Sequence, residues 1–311
     1  MRIDALVVIK GGGDLATGVG HRLFRAGFQV LVTEIPQPTV VRRTVAFAEA
    51  VYAGECTVEG VRARLAGSVR EATRLLGQDI VPVLVDPKAA CVRQLRPMAV
   101  VDGIMAKANT GTTIGDASVV VALGPGFIAG QDCHAIIETN RGHHLGRAIT
   151  DGPASANTGL PGSIDGETER RIVRAPVAGI VRTQSSIGDT VVEGEVVAEV
   201  DGQAVRTSLS GVVRGLLHDG LAVSSGMKVG DVDPRAKPEH CFTISDKSLA
   251  VGGGALEAIM MLLPHFHASS PTAVGEEGVA RSVPGVQMPG IGMWQRGQAP
   301  RATRFCRTRK P

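Results

Sequence analysis

The chain has 311 residues, enough for about two domains, and 43% of them are hydrophobic, so a sizeable core can form. Aromatic residues make up only 3%, so Val, Leu, Ile and Ala must build that core. The net charge of +3 comes from residues 265–311, and the 26 basic and 28 acidic residues outside that segment exclude a basic surface of the kind that binds nucleic acid.

The cysteines and the apolar runs bear on the compartment. Five cysteines are scattered without a CxxC spacing, which is typical of reduced thiols in the cytoplasm. The first residues enter a strand-like run and do not resemble a signal peptide. No apolar run reaches the roughly 18 residues that a membrane-spanning helix needs. We therefore expect a soluble, cytoplasmic protein without a membrane partner.

The first 35 residues predict a strand, a helix and a second strand. DALVVIK (4–10) is a continuous apolar run, typical of a strand buried on both faces. Glycines follow, then LATGVGHRLFRAG (15–27) with helical apolar spacing, and FQVLVTEI (28–35) is the next strand. A glycine-rich turn between a strand and a helix, followed by another strand, predicts a βαβ unit.

The same pattern continues to about residue 150. Residues 57–76 are predicted to be helical and residues 87–96 to form a crossover helix. The further strands are predicted at 80–86, 98–104, 117–124 and 134–140.

An internal repeat follows. RAPVAGIVRTQSSIGDTVVEGEVVAEV from Arg174 aligns without gaps to the segment from Arg206, with nine of 27 positions identical at an offset of 32 residues. Two such copies would close a small β sandwich. The repeat resembles the barrel-sandwich fold of biotinyl and lipoyl domains, but its central hairpin at 199–204 (EVDGQA) lacks the lysine that a carrier domain acylates. We therefore expect a scaffold or a recognition surface.

The predicted fold class is α/β, with a Rossmann-like parallel-sheet domain followed by a small barrel-sandwich module and a C-terminal helix. KSLAVGGGALEAIMMLL (247–263) reads as that helix, and its three glycines indicate that something packs closely there. The predicted divisions are a sheet domain at 1–150, a linker at 151–171, the β repeat without a carrier lysine at 172–235, a strand and helix at 236–264, and a disordered basic tail at 265–311.

The glycine turn fits the pattern G-x-G-x-x-A. One glycine permits the tight turn, the next lets the backbone approach a pyrophosphate, and the small third residue lets helix and strand pack closely. An acidic residue ends the second strand, where a ribose-binding carboxylate would lie. We expect a nucleotide or dinucleotide to bind here, the alternative being a turn that serves packing only. The residues assigned to this site are Gly11, Gly12, Gly13, Asp14, Ala16 and Glu34.

Further polar residues follow other predicted strands and would converge on the same ligand. Ligands of open α/β sheets bind beyond the carboxyl ends of the strands. No metal site is predicted, because Cys133 and His134 are adjacent and would point to opposite faces of a strand. The further residues assigned to the ligand are Arg42, Arg43, Lys107, Asn109, Gly124, Gly126, Arg141 and His143.

Seven segments together resemble the accessory proteins that mature selenium-dependent molybdenum hydroxylases, the YqeB type with an XdhC-like Rossmann domain. The resemblance runs from about residue 5 to 263. It implies a maturation role for a molybdenum hydroxylase client, with a molybdopterin dinucleotide as the suspected ligand. The segments are VIKGGGDLATG, PQPTVVRRTVAFAEAVY, VDGIMAK-N-G, LGPGFIAG-D, ETNRGHHLGR, GDVDPR and ISDK-GGGALEA.

Three hypotheses remain at the sequence level. The first is an accessory factor that binds the dinucleotide and hands it to a client enzyme. The second is an oxidoreductase that uses NAD(P), with Lys107 or His143 as proton donor. The third is a transferase that moves selenium or sulfur through Cys133 or Cys241. The sequence assigns no catalytic residue.

Overall fold

The structure, a computed structural model, describes residues 3–157, 159 and 162–263. The predicted disordered tail at 265–311 lies outside these residues. These described residues form one compact unit. In the part of the chain that is described, no helix is both long and apolar enough to cross a membrane.

A nine-stranded sheet with flanking helices occupies the first half of the chain, and its strands run in the order β10-β9-β7-β6-β1-β2-β5-β4-β3. Strands β8 and β11 form a small separate pair. The elements in chain order are β1 Leu6–Lys10, α1 Asp14–Arg25, β2 Gln29–Glu34, α2 Ala50–Ala53, β3 Glu55–Val58, β4 Val61–Ala66, α3 Val69–Leu76, β5 Val81–Val85, α4 Cys91–Leu95, β6 Ala99–Asp102, β7 Val119–Leu123, β8 Ile128–Ala129, β9 Ala135–Ile137, β10 Ala148–Ile149 and β11 Gly152–Pro153.

The second half contains two four-stranded sheets, of order β12-β19-β17-β14 and β16-β15-β13-β18. A long helix ends the described chain. The elements are β12 Ile172–Arg174, β13 Gly179–Thr183, β14 Thr190–Val191, β15 Val196–Val200, β16 Gln203–Arg206, β17 Gly211–Leu216, β18 Ala222–Val223, β19 Lys228–Asp233 and α5 Asp246–Leu262.

The two-sheet module, residues 172–233, follows the internal repeat. The strands of one copy recur 32 residues later in the other, β13 as β17 and β15 as β19 among them. Each sheet takes two strands from each copy, so neither copy can fold alone. Side chains from both sheets, including Val181, Val200 and Val213, form one core between them. The hairpin that lacks a lysine turns at Asp201 and Gly202, which both have positive φ, between β15 and β16.

The predicted fold class is wrong. The large sheet is mixed, because β3 and β10 run antiparallel at its two edges. The arrangement is also not a sheet domain, a module and a helix in succession. Helix α5 returns from beyond the module to pack along α1, and both helices share one core with the inner face of the large sheet. The chain is a single mixed α/β unit with the two-sheet module attached.

The predicted helix at 57–76 is wrong over its first half. Residues 55–66 form the antiparallel hairpin of β3 and β4, and only α3 is helical. The turn is Glu59-Gly60, where both residues have positive φ, and Val58, Val61 and Ala63 are buried. Such turns fit the twist of a hairpin, and alternating burial is the strand pattern. In addition, the crossover helix shortens to α4, and a 3-10 helix at Pro238–Cys241 stands where a strand was expected.

One of the three glycines of α5, Gly252, serves close packing against α1, and Gly254 packs against the backbone of Gly146. A Cβ at Gly252 would lie 2.5 Å from the carbonyl oxygen of Gly18, and one at Gly18 would lie 2.6 Å from that of Ser248. The two backbones therefore touch, and no larger side chain fits between them. This contact holds α1, and with it the glycine turn, against α5.

Candidate functional site

A cleft of about 1000 Å³ opens at the carboxyl ends of β1, β2, β5 and β6. The glycine turn and the first turn of α1 form one side, and the two-sheet module faces them. The charged residues that line the cleft are Lys10, Asp14, Glu34, Arg42, Asp86, Lys88, Arg141, Arg171, Arg214, Lys228, Asp231 and Lys247. Eight of these are basic and four acidic, so the cleft has a surplus of positive charge.

The glycine turn requires glycine for steric reasons. Gly11 has φ +85°, and a Cβ there would lie 3.0 Å from the backbone of Ile104. A Cβ on Gly12 would lie 2.9 Å from the backbone nitrogen of Ala48. By contrast, Gly13 has φ −65°, and its Cβ would meet only a methyl group of Val40 at 3.9 Å. Gly11 and Gly12 thus fit the chain to its neighbours, whereas Gly13 borders open space in the cleft.

The first turn of α1 lines the cleft with Gly13, Asp14 and Leu15. No side chain caps the helix, although Ser, Thr, Asp or Asn usually does so. The amino end of a helix carries a partial positive charge and free N–H groups that favour an anion. Ala16 is buried, and a Cβ on Gly103 would lie 2.7 Å from the Cβ of Ala16, so the small residue allows the close helix–strand packing that its position predicts.

Glu34 at the end of β2 is bound to the glycine turn. Its Oε2 accepts from the N–H of Gly12 at 2.8 Å, and its Oε1 accepts from the N–H of Ile35 at 2.8 Å. Burial raises the pKa of this carboxyl, and the two backbone hydrogen bonds oppose the rise. Glu34 therefore organises the turn and also lines the cleft.

Asp14 and Arg42 form an ion pair across the cleft wall, with 3.5 Å between Oδ2 and Nη1. Asp14 would repel an anion at the helix end, and the guanidinium offsets that charge. Arg42 is itself held by hydrogen bonds from Nη2 to the carbonyl oxygens of His240 and Thr243, at 3.1 and 3.3 Å. Its neighbour Arg43 faces the module, where Nε donates to the carbonyl of Leu216 at 3.1 Å.

The other predicted loop residues separate into two groups. Arg141 lines the cleft, but both of its terminal nitrogens bind the carboxylate of Asp246, at 2.7 and 3.0 Å. Asn109 closes its own loop, because its Oδ1 accepts from the N–H groups of Gly111 and Thr112. Of all the residues assigned to the ligand, those that do not line the cleft are Gly12, Ala16, Arg43, Lys107, Asn109, Gly124, Gly126 and His143.

A buried polar network at the end of β1 was missed by the sequence analysis. Lys10, 8% exposed, donates to Oγ1 of Thr112 at 2.8 Å and pairs with Asp116 at 3.1 Å. Thr112 in turn donates to the buried carboxylate of Asp102. The signal was present in the lysine that ends an otherwise apolar strand. Lys10 also lines the cleft, so it adds a fixed positive charge beside Gly11.

The module and the 3-10 turn directly before it, Glu169–Arg171, supply further cations that the sequence did not assign. Arg171 is buried and binds Asp231 through Nη2, at 2.8 and 3.1 Å. Arg214 is buried in β17, and Lys228 begins β19. Burial lowers the pKa of Lys228 and of Lys247. The internal repeat offered a signal for Lys228, because this lysine occupies the position that the apolar Val196 has in the first copy.

Two cysteines considered as nucleophiles are buried. Cys133 and Cys241 are both 0% exposed. Burial raises the pKa of Cys133 to about 12 and raises that of Cys241. Such thiols are poorly nucleophilic. Over the described residues, no three His, Cys, Asp or Glu side chains lie together as a metal site would require.

The chain is similar to a protein of Escherichia coli (strain K12) called Uncharacterized protein YqeB. The two are 55% identical over 258 residues, which cover 83% of this chain and 48% of the relative. The chain therefore spans about half the length of the curated relative it matches. No protein-family model matches it.

Solved structures of distant proteins share a weak likeness. One is an aspartoacylase family protein from Mesorhizobium loti, 15% identical, with 74% of this chain and 84% of that chain covered and a TM-score of 0.23. Another is the ectoine utilization protein EutE (DoeB) from Ruegeria pomeroyi, 12% identical, with 74% and 86% covered and a TM-score of 0.22. Likenesses this weak carry no argument about fold or function.

Proposed function

We propose that this protein binds a diphosphate-bearing, nucleotide-type ligand in the cleft and serves as an accessory factor in the maturation of a selenium-dependent molybdenum hydroxylase. The suspected ligand is a molybdopterin dinucleotide. The observation that carries the binding proposal is the uncapped amino end of α1, set behind Gly13 in a cleft with eight basic and four acidic residues. The pathway rests on the sequence motifs that resemble such accessory proteins.

The charge of the cleft supports an anionic ligand. A helix amino end and excess cations both favour phosphate groups. Lys10 ends the strand before the turn and Arg42 pairs with Asp14 directly after it, and both line the cleft. Asp14 does not exclude an anion, because Arg42 lies 3.5 Å from its carboxylate.

The size and the apolar part of the lining support a ligand with a ring system. A volume of about 1000 Å³ lies at the upper end of the range for cofactor and small-molecule sites. Ile35 and Ile104, 41% and 42% exposed, line the cleft together with Val40 and Met105. Such side chains would bind a base or pterin beside the charged diphosphate region.

Delivery of the ligand, without chemical change, fits the residues near the turn. Glu34 and Arg42 are engaged in hydrogen bonds that shape the wall. Cys133 and Cys241, the residues a transfer reaction would use, are buried. A protein that only holds and releases a dinucleotide needs shape and charge, and both are present in the cleft.

Thermal unfolding with millimolar ADP, CDP, GDP, NAD⁺ and NADP⁺ tests the proposal, together with mass spectrometry of any small molecule that co-purifies. We expect nucleoside diphosphates to raise the Tm of the unchanged protein. Gly13→Val should abolish that rise while the fold survives, because the methyl groups of the valine would enter open space in the cleft. A pterin nucleotide among co-purified molecules would support the pathway.

The matched control is Gly253→Val. A Cβ at Gly253 meets nothing within 4 Å, and the residue does not line the cleft. This variant is expected to keep the Tm rise. Normal nucleotide binding by Gly13→Val overturns the binding proposal. A Tm rise with NAD⁺ or NADP⁺ alone replaces it with the NAD(P)-dependent oxidoreductase.

A further inference from the structure

We propose that the module side of the cleft contains a second anion site, built around Arg214, that binds a phosphomonoester-type dianion. The inference deepens the proposed function and rests on it for the identity of the whole ligand, but the site can be tested without that ligand. It also gives the two-sheet module, which lacks a carrier lysine, a part in binding.

Arg214 is a buried cation whose positive charge is only weakly balanced by nearby carboxylates and hydrogen-bond acceptors. It is 5% exposed and lines the cleft, and no described group accepts a hydrogen bond from its Nε. Its ion pair with Asp233 is long, 3.5 Å between Nη1 and Oδ2. Asp233 is already bound to Arg235 at 2.6 Å. A buried guanidinium with an unpaired Nε and a single long ion pair among the described residues destabilises a fold, which indicates that an anion completes this site.

Other cations surround Arg214 and outnumber the nearby carboxylates. Arg42, Arg171 and Lys228 line the same cleft, and their charges act on one another or on Arg214. The nitrogens Nε of Arg42 and Arg171 also lack a partner among the described residues. The carboxylates facing this group are Asp14, 3.5 Å from Arg42, Asp231, which binds Arg171 at 2.8 Å, and Asp233, which Arg214 shares with Arg235.

The charge surplus indicates the class of ligand. With Arg235 counted beside Asp233, five cations face three carboxylates, which leaves two positive charges unmatched. A phosphomonoester carries about −1.5 to −2 at neutral pH and offers three acceptor oxygens, whereas one carboxylate would match half of the surplus. Arginine is also suited to bidentate phosphate binding.

The internal repeat provides a matched control residue. Arg182 occupies the position of Arg214 in the first copy, 32 residues earlier. It is exposed, pairs with Asp219 at 3.1 Å and does not line the cleft. Replacement of either arginine removes the same side chain from the same strand position, but only Arg214 faces the cleft.

The test measures Tm in chloride and in inorganic phosphate at equal ionic strength, for the full chain and for Arg214→Met and Arg182→Met. We expect phosphate to raise the Tm of the unchanged protein. Arg214→Met should raise the Tm in chloride, because an uncompensated buried charge is removed, and should lose the phosphate effect. Arg182→Met should keep that effect. A purely structural Arg214 predicts a lower Tm in chloride with the phosphate effect intact.

That last result overturns the proposal, as does the lack of any phosphate effect on the unchanged protein. If Arg214→Met does not fold, Lys228→Met tests the site in its place, because the Lys228 side chain is 37% exposed and its replacement should leave the fold intact. We expect Lys228→Met to bind phosphate at least tenfold more weakly than the unchanged protein. Equal phosphate binding by the two proteins would contradict the proposed site. If Arg214→Met loses the phosphate effect but Gly13→Val still binds nucleotides normally, the Arg214 site is supported and the proposed function is contradicted. If Arg214→Met keeps the phosphate effect but Gly13→Val loses nucleotide binding, the proposed function is supported and the Arg214 site is contradicted.

Discussion

Glu34 Oε2 accepts a hydrogen bond from the backbone N–H of Gly12 at 2.8 Å, so a carboxylate at the end of β2 fixes the turn at the end of β1. Gly12 is buried, and its N–H would lose its partner in Glu34→Ala. Such a loss costs about 1–3 kcal/mol. We expect a decrease of that size in the free energy of unfolding, measured with urea, and weaker binding of nucleoside diphosphates.

Glu55→Ala is the control for this prediction, because the Glu55 side chain is 54% exposed and pairs with Arg64 on the surface. Its cost should stay within about 1 kcal/mol, as is usual for surface ion pairs. A Glu34→Ala protein as stable as the Glu55→Ala protein would show that the bond to Gly12 does not hold the turn.

The crossing of α1 and α5 is expected to tolerate no side chain at Gly252. A Cβ there would lie 2.5 Å from the Gly18 carbonyl oxygen, so Gly252→Ala must push the helices apart. Overpacking of this kind costs about 1–3 kcal/mol or more. Gly253→Ala has open space and should stabilise the helix by up to about 1 kcal/mol. Chemical denaturation of both variants checks the prediction, and equal stabilities would contradict the observed contact.

The strands of the large sheet could be predicted because they are continuous apolar runs. The runs that became β1, β2, β5, β6 and β7 pair in parallel in the structure, as expected. The hairpin of β3 and β4 was misread, since short apolar runs fit a helix or a strand equally well. The mixed edges and the return of α5 to α1 depend on contacts between distant segments, which periodicity does not encode.

The site could be predicted only where one local motif defines it. Gly11, Gly13, Asp14 and Glu34 do line the cleft with the turn. The module side could not be predicted, because Arg214 comes some 200 positions later and only the fold brings it there. A basic residue on a strand also has no periodic signal that separates a buried cation from an exposed one such as Arg182.

The buried thiols are expected to react slowly in the native protein. Cys133 is fully buried with its pKa raised to about 12, and the Cys241 thiol donates to the Val213 carbonyl at 3.6 Å. Iodoacetamide at pH 8, followed by peptide mass spectrometry, should label both at least tenfold more slowly than in denaturant. Rapid native labelling of either residue would revive the transferase hypothesis.

The pair of Arg141 and Asp246 is expected to give the protein an acid-sensitive contact. The two hydrogen bonds from Arg141 lower the pKa of Asp246 from the ordinary 3.8 to about 2. The folded state therefore holds its proton less tightly than the unfolded state. The ionised pair stabilises the fold above about pH 4, and that contribution is lost as the pH falls towards 2.

NMR titration of the Asp246 carboxyl measures this pKa directly. Arg141→Ala should return it towards 3.8, while the hydrogen bond from the backbone N–H of Lys247 keeps a small lowering influence. The Asp246 side chain is 71% exposed, so the change in unfolding free energy at pH 7 should be small. Since Arg141 lines the cleft with both terminal nitrogens engaged, Arg141→Ala should weaken nucleotide binding less than Gly13→Val does. An equal loss would mean that Arg141 releases Asp246 to bind the ligand.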